Sequence, residues 1–291
     1  MSGAEPLIRN ISDTARWAAL YRALETERSN PLFRDPFARR LAGSRGEQIA
    51  DSLPAGRSQA WAWVTRTYLF DRFIAEQIGQ GVDMVLNLAA GLDARPYRMA
   101  LPPTLRWMEV DLPALLDYKE EILAGEVPVC VLERVRLDLA DVPARRKLFE
   151  RLERETKRAL VVTEGLLIYL TADEVHSLAR DLATVPGFTR WVLDIVSPGL
   201  LKMLLKQWGG SLDEAGAPLK FAPAEGPEFF RSSGWESIES RSVMKTAAHL
   251  KRAPLGLRLL AKLPEPKGLP GKRPWSAVCL LENYDAAAAP L

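Results

Sequence analysis

The length, composition and charge of the chain set the first limits on its function. It has 291 residues, of which 47% are hydrophobic and 26% are charged, so it is too apolar to be disordered and long enough to bury a core. Its 39 Lys and Arg against 37 Asp and Glu give a net charge of +2. The strong basic excess typical of proteins that bind nucleic acid or anionic membranes is missing. We therefore predict a small-molecule partner, with no nucleic acid and no membrane.

Cysteine and histidine are both scarce. Cys130 and Cys279 lie in apolar runs, so we interpret them as core thiols in a reducing cytoplasm and not as a disulfide or a reactive pair. The only histidines, His176 and His249, are far apart in sequence and leave little material for a histidine metal site or a Ser-His-Asp triad. No apolar run approaches the length of a membrane span. The chain is predicted to be cytoplasmic and to hold no metal.

Helical patterns come first along the chain. Apolar residues recur at helical spacing from Ile11 to Leu24 and again over residues 58–78. About eighty residues of predicted helix therefore precede the first clear strand. Residues 197–227, which are rich in Gly and Pro, are predicted to be an insertion over the sheet.

From Asp83 onwards, short apolar runs alternate with amphipathic helical segments. The runs are MVLNLAA, RWMEVD, VCVLERV, ALVVTEG, WVLDIV, WESIES and SAVCLLEN. This alternation predicts a mostly parallel sheet with helices on both faces, ending in an antiparallel pair. In the helical segment after the third run, the basic residues 145–147 are interleaved with acids, so we interpret them as a solvated helix face.

A turn of small residues follows the first predicted strand. Ala89, Ala90 and Gly91 would let a ligand approach the backbone, although a single glycine is a weak signal that a simple strand-to-helix turn also explains. Asp111 ends the second run, twenty residues after Gly91. An acid at that position binds ribose hydroxyls in doubly wound nucleotide folds. Capping of the helix after Pro113 is its structural alternative.

Two more acids end the next two runs. Asp138 follows the third run and Glu164 the fourth, and successive strand ends line one crevice in this topology. Burying Glu164 inside VVTEGLLIYL is costly without a partner. It is thus either a functional residue or one half of an ion pair with an arginine.

Taken together, these segments resemble a known family. DTARW, RALETERSNPLFRDPFARRLAG, LNLAAGLDARPYR, MEVDLP and VVTEGLLIYL are similar to segments of the leucine carboxyl methyltransferase-like S-adenosylmethionine-dependent methyltransferases, which include O-methyltransferases of bacterial polyketide pathways. The resemblance spans residues 10–195. It implies a class I methyltransferase (Rossmann-like) α/β fold, with a seven-stranded, mostly parallel sheet whose last strand is antiparallel and with helices on both faces. It also implies an N-terminal helical cap over residues 1–80, part of the same domain, and an S-adenosylmethionine-binding catalytic part over residues 81–291.

The resemblance also implies roles for individual residues toward S-adenosylmethionine. Arg66 is expected to pair with the methionine carboxylate and Glu164 to lie near the methionine amine, above the turn formed by Ala89, Ala90 and Gly91. Asp111 is expected to hold the ribose. Asp138 and Leu139 are expected to flank the adenine. Ala90 departs from many class I enzymes, which carry a further glycine there.

The implied reaction is O-methyl transfer to a carboxyl or hydroxyl oxygen of a small molecule. An ionised acceptor needs no base, and for an alcohol the candidate bases are Tyr21, Tyr169 and Glu164. A protein C-terminal carboxylate is the alternative acceptor. A non-catalytic cofactor-binding protein of the same fold also stays open, whereas a nicotinamide oxidoreductase lacks its glycine fingerprint and Tyr-x-x-x-Lys pair. The sequence indicates no oligomeric state.

Overall fold

A seven-stranded sheet forms the centre of the molecule. The computed structural model describes residues 11–52, 57–214, 216–262, 271 and 273–284. The strands are β1 (Met84–Leu88), β2 (Arg106–Asp111), β3 (Val131–Arg136), β4 (Ala159–Thr163), β5 (Phe188–Val196), β6 (Trp235–Ser242) and β7 (Ser276–Asn283). Their order is β3-β2-β1-β4-β5-β7-β6, and β7 is antiparallel to both of its neighbours. The predicted class I methyltransferase fold, with its antiparallel end, is confirmed.

Helices cover both faces of the sheet and the carboxyl ends of its parallel strands. They are α1 (Ile11–Thr26), α2 (Ala38–Ser52), α3 (Ala60–Gly79), α4 (Arg95–Arg98), α5 (Pro113–Ile122), α6 (Val142–Glu153), α7 (Ala172–Ala183), α8 (Pro198–Glu214), α9 (Val243–His249) and α10 (Leu255–Leu260). The insertion predicted over 197–227 contains α8. Of the cap predicted over 1–80, residues 1–10 and 53–56 lie outside the described residues. None of the helices described is both long and apolar enough to cross a membrane.

Each face of the sheet carries its own core. Every residue of β1 and β4 is buried, as expected for central parallel strands that are covered on both sides. Successive side chains alternate between the faces, so Leu86 packs with α6 and α7 while Val85 packs against α3. The helix α3 therefore forms a layer of the sheet domain. A third apolar cluster joins α1, α2 and α8 above the sheet.

Both thiols lie in the core and should be unreactive. Burial raises the pKa of Cys130 to about 11 and that of Cys279 to about 12, and neither forms a disulfide. We expect a neutral thiol reagent at pH 8 to label neither residue in the native protein and both in urea, because the thiolate is the reactive species. Rapid labelling of the folded chain, measured by mass spectrometry, would contradict this.

Candidate active site

A cavity of about 520 Å³ lies above the carboxyl ends of the central strands. Residues that follow β1, β2 and β4, and the end of β5, form its floor, and α1, α3 and α8 contribute its walls. In open α/β sheets ligands bind in this crevice, where the strand order reverses. Nearly all the site residues predicted from the sequence line this cavity, namely Arg66, Ala89, Ala90, Gly91, Asp111, Asp138, Leu139, Glu164 and Tyr169.

The turn after β1 contacts the acid at the end of β2. The parallel register pairs Leu88 with Val110, so Ala89 and Asp111 are the next residues along, and the turn brings the N–H of Gly91 onto the Asp111 carboxylate. One carboxylate oxygen of Asp111 accepts the N–H of Gly91 at 2.6 Å, and the other accepts the N–H of Leu112 at 2.7 Å. Gly91 has φ +52°, a left-handed conformation that a residue with a side chain adopts only at a cost.

The carboxylate of Asp111 has room for ligand donors. Burial raises its pKa, against the two backbone N–H groups, which lower it. Each oxygen accepts one N–H and keeps a second lone pair beside the cavity, where a hydroxyl could donate. The residues present therefore fit a ribose. Ala90, at the position of the missing glycine, is buried and donates its N–H to the carbonyl of Val110 at 3.2 Å.

Arg66 enters the crevice from α3. Its Nε lies 3.2 Å from a carboxylate oxygen of Glu164, and its Nη1 lies 3.3 Å from a carboxylate oxygen of Asp194. Burial lowers the pKa of Arg66, but the charges of Asp194 and Glu164 outweigh this, so the net pKa is raised. The ring of Trp63 lies under the guanidinium, 4.8 Å from its central carbon. Arg66 is thus always charged, and its partners fix its position in the wall of the cavity.

Glu164 is an ion-paired carboxylate. Besides Arg66 it accepts a hydrogen bond from Arg95 Nη2 at 2.8 Å and one from the Thr67 hydroxyl at 3.3 Å. Burial raises the pKa of Glu164, but Arg95 and Arg66 outweigh this and lower it. A carboxylate with a lowered pKa is a poor proton acceptor. The contacts therefore favour its predicted place beside an amine over its predicted role as a base.

The structure separates the two candidate tyrosines. Tyr169 lines the cavity, where burial raises its pKa against a hydrogen bond to the side chain of Thr14 and the charge of Arg66. Tyr21 is fully buried and is not part of the cavity wall. Its hydroxyl accepts the indole N–H of Trp17, within the apolar cluster between the helices. A proton acceptor must reach the substrate, so the position of Tyr21 opposes the predicted role.

At the far end of the cavity, Asp138 and Leu139 follow β3. Asp138 is exposed and accepts the N–H of Ala140 at 2.9 Å. The carbonyl of Leu139 accepts a hydrogen bond from Arg145 Nη1 at 2.9 Å. Arg145 is 4% exposed and paired with Asp181, so the interpretation of residues 145–147 as a solvated face is wrong at this position. Helical periodicity alone does not show that a buried carboxylate lies opposite.

Two charged residues of the site were missed. Asp194 near the end of β5 follows the same rule as Asp111 and Glu164, an acid at a strand end, and that signal was available in WVLDIV. Arg95 lies in the motif GLDARPYR and is 2% exposed. It pairs with Glu164, with Asp93 at 3.1 Å and with Asp71 at 2.6 Å. Among the described residues, no group of three or more His, Cys, Asp or Glu could hold a metal ion.

Similarity to known proteins identifies the family of this chain. The leucine carboxyl methyltransferase family matches residues 15–183, which is more than half of the chain and includes the turn after β1, Asp111 and Glu164. The chain belongs to that family. Its resemblance in sequence is thereby confirmed.

Individual members show the same relationship. A Mycobacteroides abscessus protein named as an S-adenosyl-L-methionine-dependent methyltransferase is 30% identical over 284 residues, covering 85% of this chain and 90% of that protein. A similarly named Streptomyces avermitilis protein is 33% identical over 251 residues, covering 81% and 86%. Both alignments therefore extend over most of this chain and most of the relative.

Solved structures agree at the level of fold. A DUF574 family protein from Streptomyces avermitilis superposes with a TM-score of 0.61 at 14% identity, covering 93% of this chain and 97% of that one. A methyltransferase from Thermobifida fusca gives a TM-score of 0.58 at 17% identity, with 96% of each chain covered. At such low identity the similarity shows the fold alone.

Proposed function

We propose that this methyltransferase transfers the methyl group of S-adenosylmethionine to a carboxyl or hydroxyl oxygen of a small molecule. The chain is an S-adenosylmethionine-dependent methyltransferase, in line with its family and with the names of its relatives. This decides against the nicotinamide oxidoreductase considered above. The observation that carries the finer proposal is the deep cavity, which is charged on its floor and aromatic and aliphatic on the side of α1 and α8.

The charged floor suits a zwitterionic amino acid. Arg66 offers a cation to the methionine carboxylate, and Glu164 offers an anion to the methionine amine. The turn from Ala89 to Gly91 allows close approach of the backbone, and Asp111 accepts from the ribose hydroxyls. Asp138 and Leu139 lie where the adenine would end. When bound, the cofactor supplies a methyl group on a sulfonium, which needs no metal for its transfer.

The acceptor side of the cavity is mainly apolar. Trp17, Trp63 and Trp208 line it, and the ring of Trp17 contacts both of the others, with ring centroids 4.9 Å apart for Trp63 and 5.0 Å for Trp208. Leu204 of α8 adds to this wall, whereas its neighbour Met203 is 53% exposed and does not line the cavity. Such a wall desolvates a small organic acceptor and aligns it with the methyl group.

An acceptor that is already ionised fits these surroundings best. The pKa of Glu164 is lowered and that of Tyr169 is raised, so neither is adapted to remove a proton near neutral pH. A carboxylate or a phenolate needs no such step. Alignment alone can contribute about 7–11 kcal/mol to lowering the barrier of a two-reactant step. The residues of this chain then act by binding, orienting and excluding water.

A panel of small acceptors tests the proposal. We expect radiolabelled methyl from S-adenosylmethionine to appear in members of a set of small carboxylic acids and phenols. Transfer confined to the protein or RNA fraction of a cell lysate would refute the small-molecule acceptor, and protein labelling would favour a C-terminal carboxylate. Tight cofactor binding with no transfer to any acceptor would instead favour the non-catalytic alternative.

Asp111 gives a test that needs no acceptor. We expect Asp111→Asn to weaken binding of S-adenosylhomocysteine by about 1.5–3 kcal/mol, because a charged acceptor of the ribose hydroxyls is lost. Calorimetry with 5′-methylthioadenosine, which has the ribose but no amino acid, should show a similar loss. Unchanged affinity for both ligands would contradict the assignment of Asp111 to the ribose. Asp117→Asn, on the exposed face of α5, is the matched control.

A further inference from the structure

The loop after β4 is built to admit the guanidinium of Arg66. Gly165 has φ +68°, and a Cβ atom there would lie 3.2 Å from Nη1 and 3.3 Å from Nη2 of Arg66. A real side chain would have to displace the arginine, and it would also strain the backbone. The glycine lets the arginine lie directly against the main chain.

Asp194 joins that loop to the arginine. The parallel register pairs Thr163 with Leu193, so Glu164 and Asp194 are the next residues along and lie side by side at the carboxyl end of the parallel strands. One oxygen of Asp194 accepts the N–H of Gly165 at 2.7 Å. The other lies 3.3 Å from Nη1 of Arg66. A single carboxylate therefore fixes both the left-handed loop and the cation beside it.

Three contacts hold the guanidinium in one plane. Glu164 accepts a hydrogen bond from Nε, Asp194 accepts one from Nη1, and the ring of Trp63 lies under the face of the guanidinium. Within the described part of the chain, these bonds leave Nη2 for a ligand in the cavity. An arginine recognises a carboxylate through the fixed geometry of its fork, so its orientation decides its affinity.

We propose that Asp194 is a positioning residue, which acts through Arg66 and the Gly165 loop to direct the guanidinium at the carboxylate of the cofactor's methionine. The inference rests on the proposed function, in which Arg66 binds that carboxylate. The competing arrangement has Asp194 touching the methionine amine directly. The two arrangements predict different losses when Asp194 is substituted. In the first, the protein binds the methionine carboxylate more weakly, and in the second it binds the methionine amine more weakly.

The variant Asp194→Asn separates these roles. The amide has the shape of the carboxylate and can still accept the N–H of Gly165, but it turns a donor toward Nη1 of Arg66. Two ligands are compared by calorimetry: S-adenosylhomocysteine, and its decarboxylated analogue, which keeps the amine. We expect the variant to bind S-adenosylhomocysteine about tenfold more weakly and the analogue almost as tightly as the native protein does.

Gly165→Ala provides an independent variant with the same expectation, since it displaces Arg66 without touching any charge. Glu282→Gln is the matched control. It removes a carboxylate that pairs with Arg190 of β5 at 2.5 Å and that does not line the cavity, so both ligands should bind normally. Thermal unfolding with and without ligand shows that each variant is folded.

The other possible outcomes contradict either the role of Asp194 or the role of Arg66. Equal loss of both ligands in Asp194→Asn shows that Asp194 holds the amine or the fold, and unchanged affinity for both shows that it positions nothing. Arg66→Lys tests the proposed function separately. If that variant loses S-adenosylhomocysteine selectively while Asp194→Asn does not, Arg66 keeps its role and only the inference about Asp194 fails.

Discussion

Arg66→Lys will weaken binding of S-adenosylhomocysteine by about 1.5–3 kcal/mol, which is about 10- to 150-fold in affinity. Arg66 uses Nε for Glu164 and Nη1 for Asp194, and the planar fork presents its remaining donors to the ligand. A lysine keeps the charge but has one ammonium, which cannot make these separate contacts at once. Isothermal calorimetry of the two proteins measures the difference.

The same substitution at an exposed ion pair is the control. Arg39 pairs with Glu27 and Glu47, and its side chain is 41% exposed, so Arg39→Lys should leave ligand affinity unchanged. If Arg66→Lys and Arg66→Ala both bind the ligand normally, Arg66 is a structural cation and the proposed site of the methionine carboxylate is wrong.

Arg95→Met will lower the free energy of unfolding by about 3–5 kcal/mol. Arg95 is 2% exposed and pairs with Asp71, Asp93 and Glu164. The substitution removes the guanidinium and leaves three carboxylates around an apolar side chain. Part of their negative charge then has no compensating cation. Urea unfolding at pH 7 measures the loss, and an Arg39→Met variant, at the exposed pair, should lose no more than about 1 kcal/mol.

The loss in Arg95→Met should depend on pH. Burial alone would raise the pKa of Asp93, but the charges of Arg95 and Lys119 outweigh it and lower this pKa to about 2 from its ordinary value of 3.8. A carboxyl whose pKa is lowered on folding stabilises the protein above its unfolded pKa, and that stabilisation disappears as the pH falls toward the folded value. The difference between native protein and variant should therefore shrink from pH 4 to pH 2. A constant difference over that range would show that Arg95 does not hold the charge of Asp93.

The sequence alone determined the parts of this protein that depend on local repetition. Short apolar runs separated by helical patterns specify parallel strands and crossover helices, and the seven strands follow from them. The spacing from Gly91 to Asp111 is equally local, because strand, turn, helix and strand occupy about that many residues in this fold. The sequence accordingly predicts the acid that ends β2 and those that follow β3 and β4.

Only the tertiary structure decided which charges meet. Arg66 lies 98 residues from Glu164 and 128 residues from Asp194 along the chain, and no periodicity relates a residue on α3 to two strand ends. Their contact depends on the register of β4 against β5 and on the packing of α3 over the sheet. Burial of Arg145 and exclusion of Tyr21 from the cavity likewise depend on which helix lies opposite. A sequence pattern fixes the direction of a side chain within its own element, whereas its partner is set by how separate elements pack.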